Sequence, residues 1–228
     1  MDLPVWQTLY EELADEGFVI LAVSFDTRAP EASRPWIENA HPTYPCLLDP
    51  EHEVADLYNM VNVPNAVWID EEGRLVRPTE TAGTGDEFRT MMEPGGIPPD
   101  DLTRMMQRRE RYIDAIRDWV RRGPASEHVW SPEEARTLAR ERAHTDDDAL
   151  AFAHFRFGTW LARTGRDEES RDQLAEARRL KPDSWAFRRQ SWELEEIGKA
   201  GGPEFWAAVS DLGDAAYYPA PEMAGLDD

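Results

Sequence analysis

Residues 18–25 are Phe18-Val-Ile-Leu-Ala-Val-Ser-Phe25, a nearly continuous run of apolar and β-branched side chains. Runs of this kind are typical of strands that are covered on both faces, as in parallel sheets flanked by helices. The run therefore predicts a central parallel strand. Gly17, directly before it, is placed to end a preceding helix with a left-handed cap.

Short helices and strands are predicted around this central strand. Apolar side chains at Val5, Leu9 and Leu13 have helical spacing and predict a helix before Gly17. A second helix is expected at about 30–40, followed by a short buried strand at 46–48. Both are consistent with an alternation of helices and strands.

A β-hairpin follows a third predicted helix. Asp49 and Pro50 are suited to cap and begin a helix over roughly 51–60. A strand at 66–70 then turns at 71–73 into a second strand at 75–77. The order indicates an α/β fold with a mixed sheet and helices on both faces.

The pattern changes to helices in the second half of the chain. A linker, Pro94-Gly95-Gly96-Ile97-Pro98-Pro99, precedes helical spacing of apolar residues over 101–120. Capping motifs at Ser131-Pro132-Glu133-Glu134 and at Thr145 with Asp148 predict two further helix starts. We therefore expect a first domain over 1–94 and an all-α region over 95–228.

The segment from Pro4 to Gly83 resembles the TlpA/ResA-like branch of the thioredoxin-fold thiol:disulfide oxidoreductases, with the wider redoxin (AhpC/TSA-related) family close behind. The resemblance rests on the order and spacing of several motifs. They are Leu3-Pro4 before a helix, Gly17 to Asp26, Tyr44-Pro45-Cys46-Leu47-Leu48-Asp49, Val61-Asn-Val-Pro64, and Trp68-Ile-Asp-Glu-Glu-Gly73 followed by Leu75-Val76. It implies a thioredoxin-like mixed sheet.

The same resemblance places Pro64 at the cis-proline of the family. There it implies that the backbone at Val63 pairs with a substrate chain, so Val63 and Pro64 are the expected substrate-binding residues. Without the resemblance, an ordinary trans proline between a helix and a strand would be favoured, because cis bonds are infrequent. The family context favours cis.

The Cys-x-x-Cys motif of the family is absent from this sequence, so no catalytic residue is assigned. The motif is expected just before Leu3-Pro4, close to Met1. Thiol exchange needs two thiols, one to attack a disulfide and one to resolve the mixed disulfide. Two explanations stay open. Either the protein is a redox-inactive relative that keeps the fold for binding, or its start codon was assigned too far downstream. In one version of the second explanation, the missing motif contains selenocysteine, whose codon was read as a stop.

The strand that precedes this motif in the family is also absent from the prediction. The resemblance places that strand between the strands at 18–25 and 66–69, so unpaired backbone groups are expected in the middle of the sheet. The expected consequences are lower stability, direct pairing across the gap, or a partner chain, including a dimer, that pairs there.

The segment 151–184 resembles one tetratricopeptide repeat (TPR). Its signature residues are Phe157-Gly158, Leu161, Ser170, Leu174, Ala177 and Pro182. No second copy is recognisable one period away, so helices near 131–142 and 183–198 are expected to act as caps. An equally good alternative is a helical hairpin packed on the first domain.

Composition excludes several classes of function. With a net charge of −21, a nucleic-acid-binding surface is not expected. No stretch has the roughly 20 apolar residues of a membrane span, and no basic leader precedes an apolar run, so a cytoplasmic location is expected for the chain as given.

The remaining candidate sites are weak. Cys46 lies between Pro45 and two leucines with no basic neighbour, which favours a buried apolar role over a peroxidatic one. The five histidines lack the spacing of metal ligands, and acidic runs such as Asp146-Asp147-Asp148 are explained by helix capping. We expect neither a metal nor a cofactor.

Two functional hypotheses follow. The first is a thiol:disulfide oxidoreductase family member, catalytically incomplete as given, that acts on a protein dithiol or disulfide. The alternative is a redox-inactive interaction module that binds another protein.

Overall fold

The computed structural model describes residues 3–92 and 94–223. Its strands are β1 (Ala22–Ser24), β2 (Cys46–Leu48), β3 (Asn65–Ile69) and β4 (Leu75–Thr81). Its helices are α1 (Leu3–Leu13), α2 (Arg34–Ala40), α3 (Glu53–Leu57), α4 (Pro99–Arg122), α5 (Pro132–Glu141), α6 (Asp146–Arg163), α7 (Asp167–Leu180), α8 (Trp185–Glu195) and α9 (Pro203–Ser210). The predicted hairpin is confirmed as β3 and β4.

The predicted single mixed sheet is not formed by the described strands. β1 pairs with β2 in parallel, with Ala22 opposite Cys46 and Ser24 opposite Leu48. β3 pairs with β4 antiparallel. Each sheet has two strands, and within 3–92 and 94–223 no strand joins them. Direct pairing across the expected gap is therefore not observed.

The central strand is also shorter than predicted. Only Ala22–Ser24 of the run 18–25 is assigned to a strand, because its partner β2 is three residues long. Hydrogen bonds from Ala22 to Pro45 and from Asp49 to Ser24 mark the two ends of the pairing. Val19 and Leu21, before β1, are exposed.

The predicted helix at 51–60 is correct in place but too long. α3 begins at Glu53, and yet the Asp49 carboxylate still accepts hydrogen bonds from the backbone N–H groups of Glu53 (2.7 Å) and Val54 (2.8 Å). Asp49 therefore satisfies first-turn donors from outside the helix. Both predicted capping boxes, at α5 and α6, are confirmed.

The described chain forms two compact units, each built from two separated segments. Unit 1 contains the described residues up to Val61 together with Ala143–Phe205. Unit 2 contains Asn62–Arg142 and the described residues from Trp206 onward. The predicted domains at 1–94 and 95–228 remain a prediction.

The core of unit 1 contains a buried histidine. The Nε2 atom of His52 lies 2.7 Å from the carbonyl oxygen of Phe25, and its ring lies 4.5 Å from Phe155 and 6.0 Å from Phe187, between centroids. Since a carbonyl only accepts, Nε2 carries the proton. Nδ1 is buried without a hydrogen-bond partner, and burial lowers the pKa of His52 to about 4.

The helices α6 and α7 form a hairpin that packs closely at one glycine. The Ser170 hydroxyl donates to the carbonyl oxygen of Gly158 at 2.8 Å. A Cβ atom on Gly158 would lie 2.8 Å from Cγ of Leu174 and 3.2 Å from its backbone nitrogen. The two helices therefore approach so closely at Gly158 that a larger side chain at this position would collide with α7. The TPR assignment itself remains a prediction.

The core of unit 2 contains a buried ion pair between β4 residues. The Arg77 guanidinium, 3% exposed, binds the Glu80 carboxylate through Nε (2.8 Å) and Nη2 (2.6 Å) and donates to the carbonyl oxygen of His128. Tyr112 donates to Glu80, and Trp68 donates to Tyr112, each at 3.0 Å. These bonds join the hairpin to α4 and satisfy the buried charge.

Acidification should weaken the fold through His52. In the folded chain the pKa is about 4, below the ordinary 6.5, so only the unfolded chain takes up this proton as pH falls through that window. The stabilisation is present above pH 6.5, and about 3 kcal/mol of it should be lost by pH 4. Urea unfolding from pH 7 to 4.5 measures it. His52→Gln should show a shallower pH slope, whereas an unchanged slope would contradict this assignment.

Gly158→Ala should destabilise unit 1, because the added methyl group must displace Leu174. We expect a loss of about 1–3 kcal/mol in the free energy of unfolding, measured by denaturant titration. Gly201→Ala is the matched control, since its Cβ would meet nothing within 4 Å. Equal effects of the two substitutions would refute close packing at Gly158.

Candidate functional site

The predicted substrate-binding residues lie in the loop between α3 and β3. The Val63–Pro64 peptide bond is cis, as is Ala29–Pro30. The carbonyl oxygen of Pro64 accepts a hydrogen bond from the backbone N–H of Ala82 at 3.1 Å. This bond ties the loop to the end of the hairpin in unit 2.

Both backbone groups of Val63 have partners within the chain. Its N–H donates to Oδ1 of Asn62 at 2.9 Å, and its carbonyl oxygen accepts from the hydroxyl of Tyr218 at 3.0 Å. The Val63 side chain is 39% exposed. The binding role of Val63 and Pro64 remains a prediction, and a ligand that donated to the Val63 carbonyl oxygen would replace the bond from Tyr218.

Tyr218 belongs to a C-terminal strap, defined here as Tyr217 and Tyr218, that is fixed by one carboxylate. Asp86 accepts hydrogen bonds from the backbone N–H groups of Tyr217 (2.8 Å) and Tyr218 (2.6 Å). Asn62 donates to the carbonyl oxygen of Tyr217 at 3.0 Å. The strap is therefore bonded on both sides of the peptide that joins the two tyrosines.

Aromatic contacts complete the attachment of the strap. The Phe88 ring meets Tyr217 at 5.1 Å and Tyr218 at 5.4 Å, both edge to face. Sequence reasoning did not identify the strap or Asp86. The adjacent tyrosines are the only local signal, and nothing in the sequence near them indicates which segment they contact.

Cys46, the single cysteine of the chain, lies beside a cavity of about 250 Å³ in unit 1. The lining includes Leu3, Trp36, Ile37 and the hydroxyl-bearing Ser24 and Ser33. The two serine hydroxyls bind each other at 2.6 Å. Because these polar groups are already paired, the cavity presents mainly apolar surface.

The environment of Cys46 does not favour a thiolate. Its Sγ lies 3.8 Å from the carbonyl oxygen of Tyr44, an acceptor that suits the protonated thiol. Burial raises the pKa of Cys46, and burial with the neighbouring Cys46 raises the pKa of Tyr44 to about 12. Reactive thiols instead have lowered pKa values. The geometry disfavours a peroxidatic role, but Cys46 is half-buried and Leu47 and Leu48 are exposed, so the predicted buried strand is exposed on this side.

The acidic runs serve the backbone. Asp70 accepts from the backbone of Glu72 and Arg74 in the hairpin turn, and Asp148 caps α6 and pairs with Lys181. Over residues 3–92 and 94–223, no group of three His, Cys, Asp or Glu side chains is arranged to hold a metal ion. Within the same residues, no helix has the length and apolar character required to cross a membrane.

Comparison with known proteins shows a similarity to a protein family. The model of the AhpC/TSA family matches residues 2–77, which is 76 of the 228 residues, or about a third of the chain. Neither the curated proteins nor the solved structures gave a match. The match supports assigning this N-terminal segment to the thioredoxin-like redoxins. It includes Val63, Pro64 and Cys46.

Alkylation should show that Cys46 is unactivated. We expect iodoacetamide at pH 7.5 to modify it roughly tenfold more slowly than an unfolded control, because burial disfavours the thiolate. Mass spectrometry over time gives the rate, and the chain in urea serves as the control. A folded-state rate above that of the unfolded chain would show an activated thiol instead.

Proposed function

We propose that this chain is a TlpA/ResA-like member of the thiol:disulfide oxidoreductases that is catalytically incomplete within its 228 residues. The observation that carries the proposal is the state of Cys46, a single thiol whose pKa is raised. Support for the family comes from the AhpC/TSA match over 2–77 and from the ordered motifs of the sequence.

Thiol exchange requires two sulfur atoms on the enzyme. One thiolate attacks a substrate disulfide and releases a substrate thiolate; the second then attacks the mixed disulfide and leaves the enzyme oxidised. Cys46 provides one thiol, held in the protonated form. Since Cys46 in this form serves as neither the attacking nor the resolving thiol, both thiols must come from residues outside this sequence for the chain to act on a protein dithiol or disulfide.

The Val63–Pro64 loop is the part of this machinery that the chain retains. A substrate strand would use the backbone of Val63, and it would displace the Tyr218 hydroxyl from the carbonyl oxygen. The exposed Val63 side chain is available to contact the neighbouring substrate residues. In this proposal Tyr218 competes with the substrate.

The edge of β1 that β2 does not occupy is a place where a partner chain could pair. Among the described residues β1 is paired on one edge, by β2, and Val19 and Leu21, in the uncharged segment before it, are exposed. A partner chain that pairs at this edge would extend the sheet, because an unpaired edge presents free backbone donors and acceptors.

The second candidate function is a redox-inactive module that binds another protein. The specific observation in its favour is that Asn62 and Tyr218 already satisfy both backbone groups of Val63. In that case the strap is a permanent part of the fold, and no disulfide substrate reaches the loop.

Reduction of insulin disulfides in dithiothreitol separates the two functions. We expect the 228-residue chain to leave the uncatalysed rate unchanged. We expect the chain extended at its N-terminus by a Cys-x-x-Cys segment to accelerate it, and Tyr218→Phe in that background to accelerate it further by freeing the Val63 carbonyl.

A Ser-x-x-Ser extension is the matched control. Acceleration by the unextended chain, lost in Cys46→Ala, would refute incompleteness. A folded extended chain that shows no acceleration, with or without Tyr218→Phe, would instead support the binding module.

A further inference from the structure

The helix α6 carries an apolar stripe on its outer face. The stripe consists of Leu150, Ala153, Phe157 and Trp160, whose spacing of three and four residues places them along one side of the helix. All four are exposed: Leu150 is 50%, Phe157 47% and Trp160 49% accessible. The rings of Phe157 and Trp160 stack at 6.0 Å.

The stripe differs from scattered surface hydrophobics. Single exposed apolar residues are ordinary, whereas aligned ones form a patch that indicates an interaction site. The opposite side of α6 is already used, since Phe152, Phe155 and Thr159 are buried in unit 1.

The charge around the stripe favours association. The segment 149–166 contains no Asp or Glu, although the whole chain has 46. Its charged side chains are Arg156, Arg163 and Arg166. Two chains of net charge −21 repel each other over most of their surfaces, and this segment is a region where that repulsion is weak.

We propose that the stripe is a dimer interface, occupied by α6 of a second copy running antiparallel. With a two-fold axis near residue 155, Leu150 of one copy lies opposite Trp160 of the other. Ala153 then lies opposite Phe157, so that a small side chain meets a large one. An isologous contact of this kind needs a self-complementary patch, and the spacing of the stripe provides it.

The ends of the two helices are complementary in the same register. Asp146, in the first turn of α6 of one copy, lies opposite Thr164 of the other copy and within one turn of that copy's Arg163. The Arg163 guanidinium also pairs with Glu51 of its own chain. Antiparallel helices further place the negative end of each dipole beside the positive end of the other. A parallel arrangement would bring the acidic first turns together.

Sedimentation velocity of the full chain at increasing concentration tests the interface. We expect a reversible shift from monomer to dimer. Phe157→Glu should raise the dissociation constant by roughly tenfold or more, because a charge is buried in an apolar contact. Met106→Glu, on the exposed face of α4, is the matched control and should leave the constant unchanged.

Thiol crosslinking tests the register without altering the stripe. In a Cys46→Ala background, Asp146→Cys mixed with Thr164→Cys should form a covalent dimer, whereas each variant alone should not. Positions 146 and 164 are about 27 Å apart along one helix, so parallel or unrelated contacts leave them unlinked.

Three results would overturn the proposal. They are a monomer at all concentrations, a dimer unaffected by Phe157→Glu, and equal crosslinking in the single-variant samples. Loss of the dimer in Phe157→Glu counts in favour only with an unchanged circular dichroism spectrum and with the expected crosslink in the mixture.

Discussion

Two-stranded sheets are marginal in water, and both sheets of this protein depend on helices to become stable. In unit 1, Gln190 of α8 accepts hydrogen bonds from the backbone and hydroxyl of Thr27, just after β1. The backbone N–H of Ala186 donates to the carbonyl oxygen of Val61. In unit 2, Trp68 of β3 contacts α4 through Tyr112. The N-terminal segment that carries the four strands therefore relies on helices more than 40 residues away along the chain.

This dependence explains which features the sequence could predict. Short-range features were predictable because their partners lie within a few residues: the capping boxes at Ser131 and Thr145, and the hairpin of β3 and β4. Helix bounds were less predictable. Asp49 caps α3 from outside the helix, so the Asp-Pro signal placed its start too early. The single mixed sheet was predicted from the order of the elements and from the resemblance, and neither specifies which of these particular strands pair.

The candidate site shows the same division between local and distant interactions. Val63 and Pro64 could be identified from a short motif, but their contacts could not, because Tyr218 is 155 residues away from Val63 in sequence. Asp86 is 131 residues from Tyr217 and belongs to no recognisable motif. The exposed stripe of α6 could not be predicted from the sequence either, since helical spacing alone cannot distinguish a face that packs inside the protein from one that remains exposed.

The strap at Val63 has an energetic consequence for either function. If a ligand strand replaces the Tyr218 hydroxyl at the Val63 carbonyl, one hydrogen bond is exchanged for another, and the net gain from that exchange is small. Affinity must then come from side chains buried beside Val63. The strap is held separately, by Asp86 and the Phe88 ring, so its hydroxyl can be displaced while its backbone remains bound. The loop can therefore bind by exchanging one local contact, with the surrounding fold unchanged.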